Sequence, residues 1–519
     1  MALGVFIGIY TGRKMDPSPG SGKQNVMEEA LQYISNEYVD TVNTRDLQQN
    51  GIEAMLEKLD PHSSFVPAKD LQVVNSSLEA SFDGIGIEFQ IFNDTVNVIT
   101  PIPGGPSELG GLQPGDKIIN VDDKLFAGTK ITINDVFGKL RGKKGSKVKL
   151  GIRRKGIKKL MNFTIVRDAI PTYSVEAAFM YAPETGYIKL VRFGEETFPE
   201  FKAALEKLKN KGMKRLVLDL RDNHGGFLDH ATNITDEFLS GNKLIVYTKG
   251  KKSQYSNTFN SEHEGNFEEG ALIVLIDEGS ASASEIVSGA LQDHDRAILV
   301  GRRSFGKGLV QMPINLSDGS QMRLTISRYY TPSGRSIQKP YNGNREDYEM
   351  ESINRFKNGE MYSKDSVHFA DSLKFKTDNG RTVYGGGGIM PDVFVAQDTT
   401  AYSSYLSLLL NKGVLRESAY ELYNDNKEKI TKMTMESFNK NFRVSEDDLN
   451  KMVNKASGLG IQFNEKGFAR SKEYIRNYVK ALIAKSAWRM EGFFFVFNQK
   501  DNVFMEAQKH WAEAERISQ

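Results

Sequence analysis

The sequence predicts a multidomain α/β protein, and three patterns support this. Between residues 185 and 300, short apolar runs alternate with segments of helical period, which is typical of a layered α/β core. Residues 82–168 contain short apolar strands separated by glycine turns, and residues 397–519 carry apolar stripes at helical spacing. A chain of 519 residues is long enough for three or four domains of this kind.

Composition narrows the class of protein. The chain has 68 basic and 66 acidic residues, so no overall field draws it to nucleic acid. It has no cysteine, which excludes disulfides and thiolate metal sites, and its seven histidines show no metal-ligand spacing. We therefore expect no metal, no cofactor and no nucleic-acid partner.

The order of the domains follows from shifts in pattern. Residues 1–22 hold an apolar run too short to span a bilayer, followed by a Pro/Gly/Ser linker. We interpret them as the end of an export signal or membrane anchor, with a buried N-terminal strand as the alternative. A helical region follows over residues 23–81. The β-rich domain covers 82–168, an α/β core covers 169–396 with a polar surface insertion at 340–383, and a helical domain covers 397–519.

The stretch between residues 271 and 311 carries the chemistry. Ala271–Ile276 is an apolar run that predicts a buried strand, and a helix is predicted over residues 282–291. Ser282 therefore lies at a helix N-terminus directly after a turn, where its hydroxyl is accessible and free N–H groups can bind an oxyanion. The alternative is a capping box, in which Ser282 only satisfies the helix end and Glu285 reaches back to it.

The pattern GSASASEIVSGAL, followed by FGKG and Gln311, resembles the C-terminal processing peptidases, which are tail-specific serine proteases with a Ser–Lys dyad. The resemblance implies that Ser282 is the nucleophile, Lys307 the general base and Gln311 the residue that positions the lysine. It also implies a crotonase-like core with an inserted, β-barrel-like PDZ domain and flanking helical domains. A periplasmic or cell-envelope location goes with this family.

Lys307 must be uncharged to act as a base near neutral pH. A free lysine has a pKa of about 10.4, so desolvation or a neighbouring cation has to lower it to roughly 7–8. Phe305, Leu309 and Val310 offer apolar cover. We expect Arg302 and Arg303 to add like-charge repulsion.

Two other chemistries fit the same stretch less well. Gly301-x4-Gly306-Lys307 resembles half of a nucleotide-binding loop, but Gly308 stands where such a loop has Ser or Thr, and a strand follows instead of a helix. A Ser–His–Asp triad would need one of three histidines: His224 lies in a turn where the resembled family has proline, His294 is predicted to be solvated, and His230 follows the same turn.

Two glycine turns complete the predicted site. Residues 221–226 follow a predicted strand and resemble the family's turn that faces the nucleophile. This resemblance implies that the N–H groups of Gly226 and Gly225 join that of Ala283 in an oxyanion hole. In the PDZ-like region, Gly84, Ile85, Gly86 and Ile87 would bind a substrate's terminal carboxylate, and the following strand would pair with an extended peptide.

The sequence thus predicts a serine endopeptidase that captures unstructured protein C-termini and cleaves nearby peptide bonds. The resemblance implies that the helical region over 23–81 can take part in a homodimer, and residues 1–22 allow a membrane anchor. The alternative is a catalytically silent scaffold that binds protein tails through its PDZ domain without cleaving them.

Overall fold

The structure, a computed structural model, describes residues 25–76, 78–102, 104–367 and 369–518. The predicted export or anchor segment over residues 1–22 lies outside this part of the chain. The chain divides into two units between Lys58 and Leu59. No helix within the described ranges is long and apolar enough to cross a membrane.

The first unit contains two helices, α1 (Val26–Glu37) and α2 (Thr44–Glu57). Each begins at an asparagine whose side chain accepts a hydrogen bond from the first turn: Asn25 from the N–H of Met27, and Asn43 from the N–H of Arg45. Asparagine caps of this type stabilise a helix start. The helical spacing in this part of the sequence therefore corresponds to a helix pair.

The second unit begins with short elements that lead into the β-rich domain. They are β1 (Ser64–Val66), α3 (Leu71–Asn75) and β2 (Ser81–Gly84). The β-rich domain then contains β3 (Ile87–Ile91), β4 (Val96–Pro101), α4 (Pro106–Leu109), β5 (Lys117–Val121), β6 (Lys124–Leu125), α5 (Ile133–Leu140), β7 (Lys147–Arg153) and β8 (Met161–Val166). A last strand, β9 (Asp168–Pro171), pairs with β2 and brings the two ends of the domain together.

The sheet of the β-rich domain is antiparallel, in the order β3-β4-β5-β7-β8, with β6 paired to β5. Its core is a cluster of aliphatic side chains from the sheet and α5 that includes Val96, Ile118, Val136, Val148 and Ile152. Strand β3 lies at the edge of the sheet, so its outer backbone groups are open to pairing with another strand.

The α/β core follows and contains two large sheets and one two-stranded sheet. Its elements in chain order are β10 (Val175–Ala182), β11 (Thr185–Leu190), α6 (Thr197–Lys209), β12 (Arg215–Asp219), α7 (Leu228–Asp236), β13 (Leu244–Gly250), β14 (Thr258–Asn260), β15 (Ala271–Ile276), α8 (Ala283–Asp293), β16 (Ile298–Gly301), β17 (Leu309–Asn315), β18 (Gln321–Tyr330), α9 (Arg345–Glu349), α10 (Glu351–Lys357), β19 (Lys374–Lys376), β20 (Thr382–Tyr384) and β21 (Val393–Phe394).

The main sheet has the order β10-β11-β12-β15-β16-β21 and is parallel except for β10. Helices α6, α7 and α8 cover one of its faces and form the largest buried cluster with it. The second sheet is antiparallel: β18 pairs with β1, β13 and β17, and β14 pairs with β13. Strands β19 and β20 form the two-stranded sheet. This arrangement confirms the predicted layered α/β core.

The C-terminal region is helical, as predicted. It comprises α11 (Ser404–Asn411), α12 (Val414–Asp425), α13 (Lys427–Ile430), α14 (Met435–Asn441), α15 (Glu446–Gly458), α16 (Glu465–Phe497), α17 (Asn502–Ala507) and α18 (Trp511–Ile517). Helix α16 is kinked at Trp488 and Arg489. Beyond the kink, Phe495, Phe504 and Trp511 pack on the second face of the main sheet. The aromatic run near Phe495 is therefore core in this chain.

Candidate active site

The predicted nucleophile stands at the carboxyl end of the main sheet. Strand β15 ends at Ile276, helix α8 begins at Ala283, and Ser282 lies between them with φ 55° and ψ −113°. A positive φ costs a residue other than glycine about 1–3 kcal/mol, and such strain concentrates at functional sites. The capping box is also present, because the Ser282 N–H donates to Glu285 Oε2 at 2.8 Å. Glu285 therefore helps hold Ser282 in its strained conformation.

The glycine turn after β12 packs directly against Ser282. Strands β12 and β15 are parallel neighbours, so the turns that follow them meet at one edge of the sheet. A Cβ atom on Gly225 would lie 2.8 Å from Ser282 Cβ and 2.9 Å from the Ala283 nitrogen. Gly226 has φ 150°, and a Cβ atom there would lie 2.0 Å from the Phe193 carbonyl oxygen. Only glycine fits this approach of the two backbones.

Asn223 holds this turn, a role that the local sequence pattern does not predict. Its side chain is fully buried, Oδ1 accepts the Gly225 N–H at 2.9 Å, and Nδ2 donates to the Leu190 carbonyl oxygen at 2.9 Å. The Gly225 N–H is thus already engaged, which differs from the sequence prediction for that donor. Within the described chain the N–H groups of Gly226 and Ala283 have no acceptor. They are the two donors available to an oxyanion.

The carboxylate of Glu285 links the lysine loop, residues 301–308, to Ser282 by hydrogen bonds. Glu285 is fully buried and accepts hydrogen bonds from the backbone N–H of Gly306 at 2.7 Å and of Lys307 at 2.9 Å, besides that of Ser282. The Ser304 hydroxyl donates to it as well. Burial raises the pKa of this carboxyl, and the four donors act against that shift.

Tyr329 makes a second connection between the two loops. Its ring is buried on β18, and its hydroxyl lies within hydrogen-bond distance of the carbonyl oxygens of Ser282 and Lys307. Burial, together with the nearby Glu285, raises the pKa of Tyr329 well above its usual range, so the hydroxyl stays a donor. Nothing in the local sequence pattern around Tyr329 signalled this contact, because it joins three distant segments.

Lys307 is held in surroundings that favour its neutral form. Burial lowers the pKa of its amine below the ordinary value of 10.5; the nearby Arg323 lowers it further, while Glu285 and Asp60 act in the opposite direction. The predicted cations are engaged elsewhere: Arg302 pairs with Glu278 at 2.8 Å, and Arg303 pairs with Glu360 and Glu351. The like-charge repulsion comes from Arg323 on β18, not from the lysine's own loop.

Gln311 lies on β17, opposite Thr325 of β18. Its amide donates to Thr325 Oγ1 at 3.2 Å, and Thr325 Oγ1 donates in turn to Asp60 Oδ1 at 3.1 Å. The hydrogen bond that Gln311 makes in this structure is therefore with β18, and its role in positioning Lys307 stays a prediction.

The three histidines do not form a triad with Ser282. His224 is exposed beside Asp222, and His230 packs on Phe227. His294 caps the far end of α8, where it contacts Asp378 and the Leu244 carbonyl oxygen at 2.8 and 2.6 Å. Its side chain is only 8% exposed. The prediction that His294 is solvated was wrong because its partners come from distant segments.

The predicted carboxylate loop joins β2 to β3 in the β-rich domain. Gly84 ends β2, Ile85 is buried, Gly86 has φ 69°, and Ile87 begins the edge strand β3. Arg141 follows α5 and lies close to Gly84.

The Arg141 guanidinium stands over two aromatic rings, at 4.5 Å from that of Phe82 and 4.2 Å from that of Phe137. Its Nε and Nη1 atoms are buried without a hydrogen-bond partner in the described structure. An anion is the group that would satisfy them.

Comparisons with known proteins identify the domains and the family. Residues 184–350 match Peptidase family S41, residues 98–154 match a PDZ domain, and residues 405–489 match a family of unknown function (DUF8443). A carboxy-terminal-processing protease of Bartonella bacilliformis is 40% identical over 314 residues, which cover 60% of this chain and 71% of that protein. Carboxy-terminal processing protease CtpB of Bacillus subtilis is 36% identical over 319 residues, covering 60% of this chain and 65% of that protein.

Among solved structures, the photosystem II D1 C-terminal processing protease is 26% identical, covers 73% of this chain and 88% of its own, and has a TM-score of 0.39. The PDZ domain of a Vibrio cholerae carboxy-terminal protease, solved in complex with peptide, is 36% identical over 17% of this chain and 97% of its own, with a TM-score of 0.16.

The matched regions define a serine protease with a PDZ domain. More particularly, the chain belongs to the carboxy-terminal-processing protease family.

Proposed function

We propose that this protease captures unstructured protein C-termini on its PDZ domain and cleaves peptide bonds with a Ser282–Lys307 dyad. The observation that carries the proposal is the shared carboxylate of Glu285. It binds the backbone N–H of both dyad residues at 2.8 and 2.9 Å and so couples their positions. A nucleophile and a base must be held together in this way for proton transfer between them.

The reaction follows from the chemistry of these groups. The neutral amine of Lys307 takes the proton of Ser282 Oγ while Oγ forms a bond to the substrate carbonyl carbon. The N–H groups of Gly226 and Ala283 stabilise the oxyanion, and each such donor contributes about 3–4 kcal/mol to lowering the barrier. The C–N bond then breaks, and Lys307 gives its proton to the leaving amine. Water then attacks the resulting ester. Lys307 takes a proton from the water and gives it to Ser282 Oγ as the ester C–O bond breaks, which releases the new C-terminus.

Substrate capture rests on the PDZ domain. The edge strand β3 offers backbone groups to an extended chain, and residues 84–87 would bind its terminal carboxylate. Arg141 adds a cation whose buried N–H groups lack a partner in the described structure. A substrate's terminal carboxylate therefore fits beside Arg141 better than an internal segment of a substrate chain does.

The location and assembly of the protein are part of the proposal. We place it in the periplasm or cell envelope, with residues 1–22 as the end of an export signal or anchor, and allow a homodimer. Exposed apolar side chains of the first unit support the homodimer: Val26 in α1 is 75% exposed, and Val39 between the two helices is 87% exposed.

The test is proteolysis of a folded reporter protein that carries a disordered apolar tail with a free C-terminus. We expect the wild-type enzyme to cleave it, and Ser282→Ala and Lys307→Ala to retain tail binding without cleavage. Mass spectrometry of the products locates the bonds. Cleavage by Ser282→Ala at the wild-type rate would overturn the dyad, and tight binding without cleavage by the wild type would favour the silent scaffold.

A further inference from the structure

The insertion at residues 340–383, whose polar sequence predicts a surface appendage, buries some of its side chains. Tyr348 and Arg355, from helices α9 and α10, are only 6% and 4% exposed. Arg355 binds the lysine loop directly, and Tyr348 contacts Gln338, which binds the same loop. The insertion thus contributes buried side chains to the outer side of the loop that carries Lys307.

Arg355 binds the lysine loop through two backbone carbonyls. Its Nη1 donates to the Ser304 oxygen at 2.7 Å, and its Nη2 donates to the Phe305 oxygen at 3.1 Å. Glu351, one turn earlier on α10, accepts from Arg355 Nε at 2.6 Å and fixes the guanidinium plane. A planar fork with two donors holds two acceptors in a defined geometry, which a lysine ammonium does not reproduce.

The contacts of Arg355 and of Glu285 fall on successive peptide groups of the same loop. The carbonyls of residues 304 and 305 face Arg355 outside, and the N–H groups of residues 306 and 307 face Glu285 inside. The peptide segment before Lys307 is therefore held between a cation and a carboxylate. Lys339 also lies under the insertion, with its Nζ atom 4.2 Å from the Phe305 ring centre and 4.1 Å from that of Tyr348.

Tyr348 reaches the other side of Lys307. Gln338 Oε1 accepts the Gly308 N–H at 2.9 Å, and Gln338 Nε2 donates to the Tyr348 hydroxyl at 3.1 Å. That hydroxyl lies 2.7 Å from His62 Nε2. Burial, followed by the charge of Lys307, lowers the pKa of His62 to about 4, so the imidazole is neutral near pH 7.

We infer that Arg355 and Tyr348 make the insertion a brace that positions the general base, with Arg355 fixing the loop before Lys307 and Tyr348 the loop after it. The inference rests on the proposed dyad. The brace excludes water from the side of the loop that faces away from the serine. Its loss lets the loop move and solvent reach the amine, which favours the charged form of Lys307.

The charged and titratable groups around Lys307 are Glu285, Tyr329, Arg323, Asp60 and His62. None of them belongs to the insertion, so substituting Arg355 or Tyr348 leaves that set intact. If the pKa of Lys307 changes in such a variant, the change therefore reports a shift in the position or the hydration of the Lys307 amine.

The experiment compares Arg355→Gln and Tyr348→Phe with the wild type on a short chromogenic peptide across pH 6–10. We expect kcat to fall about 10- to 100-fold at pH 7, as for a misplaced catalytic group, with KM little changed. The acid limb of the kcat/KM profile should move to higher pH. Arg355→Lys should restore little of the rate. Lys357→Gln, an exposed cation on the same helix, is the matched control and should behave as the wild type.

Three outcomes separate failure of the brace from failure of the dyad. If Ser282→Ala abolishes cleavage but Arg355→Gln and Tyr348→Phe both keep the wild-type kcat and acid limb, the brace is overturned and the dyad stands. A lower kcat with an unmoved acid limb, matched by an equal loss of titratable active sites, also overturns it, since this indicates partial unfolding. Persistent cleavage by Ser282→Ala would remove the dyad itself.

Discussion

Glu285 accepts a hydrogen bond from the backbone N–H of Lys307 at 2.9 Å, although a helix, a strand and a loop separate the two residues along the chain. The carboxylate is fully buried, and among the described residues no cation forms an ion pair with it; backbone and hydroxyl donors bind it instead. A buried charge is tolerated only when such donors satisfy it. The residue that caps helix α8 therefore also fixes the loop of the proposed base.

Glu285→Gln should destabilise both loops. The substitution replaces one carboxylate oxygen by an amide nitrogen, which cannot accept a hydrogen bond from the N–H group that faces it. Each buried donor left unpaired in this way costs about 1–3 kcal/mol. We expect a lower melting temperature and a lower kcat, measured by calorimetry and peptide cleavage. Glu264→Gln, at an exposed position, is the control. Wild-type stability and rate in Glu285→Gln would show that the carboxylate does not couple the loops.

Arg323→Gln should change the pH dependence of cleavage. Burial and Arg323 both lower the pKa of Lys307, so the neutral amine persists below the ordinary value of 10.5. Because the base works unprotonated, kcat/KM rises with pH through the pKa of Lys307, and removing the Arg323 charge moves that limb to higher pH. Arg328→Gln, exposed on the same strand, should leave it in place. A limb that does not move would assign the low pKa to burial alone.

Much of this site was predictable because its signals are local. The continuous apolar run at residues 271–276 predicted strand β15 with the bounds that the structure has, Ala271–Ile276. The glycine turn and Ser282 follow such strands, and parallel neighbours place their carboxyl ends together. A local sequence pattern and one rule of sheet topology were therefore enough to predict that Gly226 and Ser282 lie at the same edge of the main sheet.

The remaining features depend on partners that are distant in the chain. The sequence places Arg303 near Lys307 but does not show that Glu360 pairs with it. It likewise gives no sign that the polar insertion buries Arg355 or that Tyr329 reaches two loops. Charged and polar side chains lie at the surface in most proteins. They are buried where residues distant in the chain supply their hydrogen bonds, as in this protein.

Tyr329→Phe should weaken the second connection between the loops. The substitution keeps the buried ring and removes the hydroxyl that lies on the carbonyls of Ser282 and Lys307. We expect a loss of about 1–2 kcal/mol in the free energy of unfolding and a fall in kcat with an unchanged KM, measured by denaturant titration and peptide kinetics. Tyr330→Phe, on the next residue of β18, is the control. Equal kinetics in both variants would contradict the proposed role.

His62 should make the protein less stable in mild acid. Its pKa is about 4 in the folded protein, below the ordinary value of 6.5. Between these values the unfolded chain binds a proton that the folded protein does not, so stability falls as the pH drops from 6.5 to 4. The slope is at most about 1.4 kcal/mol per pH unit. The melting temperature of the wild type should therefore fall relative to that of His62→Asn over this range, and a constant difference would refute the assignment.

Arg141→Gln should remove the preference for a free C-terminus. A charge-assisted hydrogen bond contributes about 1.5–3 kcal/mol, so binding to a tail with a free carboxylate should exceed binding to the amidated tail by about 10- to 100-fold in the wild type. The variant should bind both alike and show a raised KM only for the free acid. Lys139→Gln, an exposed cation near the end of α5, should keep the wild-type preference. Equal affinity of the wild type for both tails would mean that the buried guanidinium, though unpartnered in the described structure, does not receive the carboxylate.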